Sequence, residues 1–195
     1  MSVNKPISLE QVAQAISYVD SLDVEAKTKR VDRIFEDQPA VLGAVVQLHS
    51  LGVDYPVQEH AFHVLLVLYE CFTRFVSGLP KITEQMVQAA FDNNVAMLRF
   101  YDEETQEEAI RLQRLAATKH PEQNVQAFVV GYLSEHFPTF SRENELVINA
   151  CTAVMNAFVE AKQSPKGLVD EVSPTKDKFE SRRKPQGSRR RKPQT

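Results

Sequence analysis

Residues 61–76 read AFHVLLVLYECFTRFV, the most apolar run in the chain. Its polar members do not alternate with apolar ones, as the half-buried face of a strand requires. At about 100° per residue, Glu59, His63, Glu70 and Arg74 fall within a sector of about 60°, while Phe62, Val64, Leu65, Leu68, Phe72, Phe75 and Val76 cover most of the remainder. A helix apolar nearly all round belongs at the centre of a helical body. The run is shorter than the ~20 uninterrupted apolar residues of a membrane span, and His63, Glu70 and Arg74 inside it mark a core helix.

Helical periodicity continues on both sides. Ser8 and Gln11 make a capping box, and Leu9, Val12, Ile16 and Val19 share one face of a first helix from about Leu9 to Ser21. Asp23 caps a second helix whose Val24, Val31, Ile34 and Phe35 are expected to face inward. Pro39 opens a third, bearing Val41, Leu42, Val45, Val46 and Leu48 and stopping at Gly52; Asp54 and Pro56 open the fourth. Thr83 caps a fifth helix carrying Met86, Val87, Ala90, Phe91, Val95 and Leu98 on its apolar side. The acids of residues 102–108, followed by Arg111, Arg114 and Lys119, match the dipole of a sixth. Pro121 opens a seventh, and Ser141 caps an eighth with a stripe of Val147, Ile148, Cys151, Val154, Met155, Phe158 and Val159. The expected fold is all-α, a bundle of about eight helices.

Pro39, Pro80 and Pro121 stand 41 residues apart, each ahead of two helices. That period approaches the roughly 40–47 residues of stacked helical repeats. Helices of ordinary length joined by short loops produce the same spacing, so stacked pairs and a compact bundle both fit. From Ser164 the composition turns to Pro, Lys, Ser, Gly and Gln, which sets the expected organisation as a globular domain over 1–163 and a disordered linker and basic tail over 164–195.

The last fifteen residues, SRRKPQGSRRRKPQT, say nearly one phrase twice. They hold seven of the 23 basic residues and no acid, so residues 1–180 keep 16 basic against all 26 acidic residues, a net charge of −10. An acidic body repels a phosphate backbone, which leaves Arg182, Arg183, Lys184, Arg189, Arg190, Arg191 and Lys192 as the expected RNA or DNA contacts. Without an aromatic residue for stacking, or an apolar face for a membrane, the tail is expected to bind nonspecifically and to weaken with salt. A further expectation has the tail folding back on the acid cluster Asp102, Glu103, Glu104, Glu107 and Glu108 until a stronger polyanion displaces it.

Other chemistry is sparse. Cys71 and Cys151 lie in apolar runs, where a thiol acts as a small hydrophobe. The six glycines form no phosphate-cradling or nucleophile-elbow motif. A carboxylate and an imidazole one turn apart can share a metal, so Glu59, His63 and Glu70 are the alternative site, that of a helical-bundle metal protein or enzyme. The i,i+4 pairs Glu59–His63 and Glu70–Arg74 are explained more cheaply as a solvated strip, which is the expected reading. His49, His60, His120 and His136, near helix ends, read as caps or surface residues. No cofactor is implied, and neither a leader nor a span is evident. The expectation is a soluble cytoplasmic protein, nuclear if the source is eukaryotic, whose body binds an unknown protein partner.

Overall fold

The computed structural model describes residues 5–102, 104–139 and 141–164. Among them are eight helices and no strand: α1 (Leu9–Ser21), α2 (Val24–Asp37), α3 (Pro39–Ser50), α4 (Tyr55–Phe75), α5 (Glu84–Asp102), α6 (Gln106–Lys119), α7 (Gln123–His136) and α8 (Arg142–Gln163). The chain divides into a compact unit, Met1–Pro165, and Lys166–Thr195, which lies outside the described residues. None of the described helices is long and apolar enough to cross a membrane.

The helices start where local chemistry satisfies their free amides. Ser8 and Gln11 exchange reciprocal hydrogen bonds, and the side chains of Asp23, Thr105 and Ser141 accept from the amides of Ala26, Glu108 and Asn144. Pro39 occupies the first turn of α3. Asp54 precedes α4 without a side-chain cap. Gly52, at φ 92°, takes the left-handed turn that ends α3.

α4 and α8 form the centre. Residues 64–72 of α4 are all buried, and the rings of Phe72 and Phe158 stack at 5.0 Å between the two helices. α1, α2, α3 and α7 pack around α4, while α3, α5 and α7 also meet α8. In stacked repeats each unit touches only its neighbours. Here α8 packs on both helices of the block that begins at Pro39, two blocks earlier, so the arrangement is a compact bundle.

Polar side chains fasten the pieces that helices do not. Gln38 donates to Pro80 O and accepts from the Ile82 amide, at 3.1 and 2.7 Å, holding the loop before α5 against the α2–α3 junction. The N-terminal segment is held at the far end of α8. Lys162 donates to Lys5 O and pairs with Glu122, whose other oxygen accepts from the Ile7 amide at 2.8 Å; Asn124 donates to Ile7 O at 2.9 Å.

Several residues expected inside are exposed. On α2 only Ile34 is buried, whereas Val24 and Phe35 are 83 % and 65 % exposed. The body covers the Ile34 side of α2, and the row through Val24 and Phe35 lies about 90° around the helix. On α5 the stripe is covered through Asn94, but Val95 and Leu98 are exposed. Leu9 and Ile148 also face solvent.

Candidate functional site

The seven tail residues, Arg182 to Lys184 and Arg189 to Lys192, lie outside the described residues. The alternative trio on α4 is described, and its members have separate surroundings.

Glu59 is exposed, and none of the ion pairs among the described residues includes it. Glu70 is not on a solvated strip. It is 2 % exposed, beneath α1 and α2, with Arg30 Nε 3.2 Å from Oε1 and Arg74 Nη1 3.9 Å from Oε2. Arg30 directs its Nε and Nη2 hydrogens to the Tyr18 hydroxyl, at 3.1 and 2.6 Å, so Glu70 Oε1 has an ionic neighbour but no hydrogen bond. Both guanidinium carbons lie 5.2 Å from the centre of the Tyr18 ring. Burial raises the Glu70 pKa above the usual carboxylate value, and the two arginines oppose that rise. This arrangement neutralises an interior carboxylate.

His63 turns to α1 and α7. Its ring stacks on Tyr132 at 4.7 Å, and its Nδ1 lies 3.9 Å from Asp20 Oδ1. Tyr132 also stacks on His136 at 4.2 Å, and its hydroxyl shares a 3.0 Å hydrogen bond with His60 Nδ1. His60 and His136 are 4.6 Å apart between ring centres, with Phe137 edge-on to His60. Three imidazoles thus surround one phenol where α4 meets α7. Burial lowers the pKa of His60, assisted by His136 and opposed by Glu59. Burial also lowers that of His63, opposed by Asp20 and assisted by Lys27, His136 and His60. Burial pushes Tyr132 up to about 12, so the phenol keeps its proton at neutral pH.

The cluster was only partly legible in the sequence. His60 and His63 stand at i and i+3, and Tyr132 and His136 at i and i+4, spacings that place each pair on one face. Which two helices would meet was not readable from either. By contrast, His49 reaches Val53 O at 3.3 Å, and His120 accepts from the Glu122 amide at 3.2 Å, as expected of helix-end histidines.

No group of three His, Cys, Asp or Glu side chains among the described residues is placed to hold a metal ion. Cys71 and Cys151 are buried free thiols, each pushed up to about 12 by burial, and neither is a nucleophile at neutral pH. A cleft of about 370 Å³ between the N-terminal segment and the end of α4, lined by Lys5, Ser8, Gln11, Gln14 and Phe75 among others, contains none of these titratable clusters. Comparison with family models, curated proteins and solved structures finds no match to the chain.

Proposed function

We propose that the protein is a non-enzymatic interaction protein. Its helical body engages a protein partner, and its basic tail adds nonspecific, salt-sensitive affinity for RNA or DNA. The observation that carries this reading is the division of charge: seven cations and no anion in residues 181–195, against a net −10 over residues 1–180. Cations on a short strand release counterions from a phosphate backbone, whereas an acidic surface repels it. Support for a protein-binding body comes from Val95, Met97 and Leu98, neighbouring apolar side chains of α5 that are 37 %, 44 % and 57 % exposed.

Fluorescence anisotropy with labelled RNA and DNA tests the tail. If all seven cations meet phosphates of a duplex, the log–log slope of affinity against salt approaches about −6. RNA and DNA of unrelated sequence bind alike. A flat salt dependence, or binding confined to one sequence, contradicts the proposal.

A further inference from the structure

The α2 helix carries a second apolar row, separate from the one that anchors it. Val24, Thr28, Val31 and Phe35 are spaced by four, three and four residues, the alternation of the d and a positions of a coiled coil over about 16 Å of helix. Val24, Thr28 and Phe35 are exposed, and Val31 is half-buried at the edge of the core. Thr28 donates its hydroxyl hydrogen to Val24 O at 2.9 Å, so its polar atom is satisfied within the helix.

The charges of α2 are nearly all engaged within the chain. Asp23 caps the helix, Glu25 pairs with Lys29, Arg30 with Glu70, and Arg33 with Glu36 and Asp37. Among the described residues, Lys27 and Asp32 enter no ion pair; Lys27 is felt by His63, like a like charge, as a repulsion that lowers its pKa. These two residues flank the apolar row, Lys27 at position g and Asp32 at the following e. In a parallel pair of helices, g of one chain faces the following e of the other. Antiparallel pairing of the same row would set the acids at the e positions, Glu25 and Asp32, against each other.

We propose that the protein pairs with a second copy of itself through α2, in parallel, with Lys27 of each chain against Asp32 of the partner subunit. The self-complementary g and e charges select this occupant over an unrelated helix. A twofold axis along the row makes the contact isologous, so the Lys27–Asp32 pairing occurs twice across it. The pairing goes beyond the nucleic-acid reading and stands without it. If both hold, each assembly carries two basic tails, and the second tail binds at a raised effective concentration.

Analytical ultracentrifugation of the full chain without nucleic acid tests the pairing. A row this short gives a weak interface, so the dimer is expected to form within about 10–500 µM. Phe35→Asp weakens it at least about tenfold, and Lys27→Glu or Asp32→Lys weakens it severalfold. The double variant Lys27→Glu/Asp32→Lys restores the charge match and returns association to near the wild-type value. Circular dichroism confirms that each variant is folded. A monomer throughout the range, a dimer indifferent to Phe35→Asp, or a double swap no better than the single ones overturns the proposal.

Discussion

Glu70 and His63 stand two turns apart on α4, and their environments push their proton affinities in opposite senses. Glu70 is buried beside two arginines that reach solvent, so removing either side of that contact has unequal effects. Arg30→Met leaves a buried carboxylate with only Arg74, 3.9 Å away, and is expected to cost about 1–3 kcal/mol of unfolding free energy. Glu70→Gln removes the desolvated charge and lets both guanidinium groups hydrate, at a cost of about 1 kcal/mol or less. Denaturant titration of the two variants distinguishes them, and equal costs would show that Glu70 is not the strained partner.

The histidines give a pH dependence of fixed sign. His60 and His63 have folded pKa values lowered from 6.5, so the unfolded chain binds more protons below that pH. Their contribution is fully present above pH 6.5 and is lost as pH falls from there through the folded values. Thermal unfolding from pH 7.5 to 5.0 is therefore expected to show a falling Tm, with the fall reduced in His63→Phe relative to wild type. The same slope in both proteins would remove His63 as its source.

At the scale of elements, the sequence announced helices better than it announced their partners. Caps at Ser8, Asp23, Thr83 and Ser141 and the turn at Gly52 depend on a few adjacent residues, and each is present. Burial depends on what lies opposite. Ile34 and Phe35 are both apolar, yet one faces the body and the other solvent, a distinction that amphipathic period alone does not draw when a helix carries two apolar rows. The Glu122–Lys162 pair was equally hidden, because its members stand 40 residues apart and become neighbours only when α7 folds back along α8. That pair fixes the N-terminal segment to two helix ends. Lys162→Met leaves Glu122 buried with the Ile7 amide as its remaining donor and is expected to destabilise by about 3–5 kcal/mol, whereas adding Glu122→Leu removes the uncompensated charge and recovers part of the loss, the Ile7 amide then lacking its acceptor. Chemical denaturation of the single and double variants measures the difference, and additive losses would contradict a coupled pair.

At the scale of the molecule, the bundle supplies shape and an acidic field, and the basic tail supplies charge of the other sign. The trio Glu59, His63 and Glu70 illustrates the limit of a single-helix reading. Three residues on one sector of α4 are drawn to solvent, to α7 and to α2 respectively, because different helices cover successive turns of that sector. The fold class was legible because helical period and caps recur along the chain. The meeting of the two histidine-bearing pairs was not, because it depends on which helices become neighbours.

The most direct test of the tail's role compares the full chain with a version lacking residues 181–195, in nucleic-acid binding at low and high salt with thermal unfolding in parallel. The account predicts that truncation leaves the Tm unchanged and abolishes the salt-sensitive binding of RNA and DNA. Undiminished binding by the truncated, folded body would contradict it.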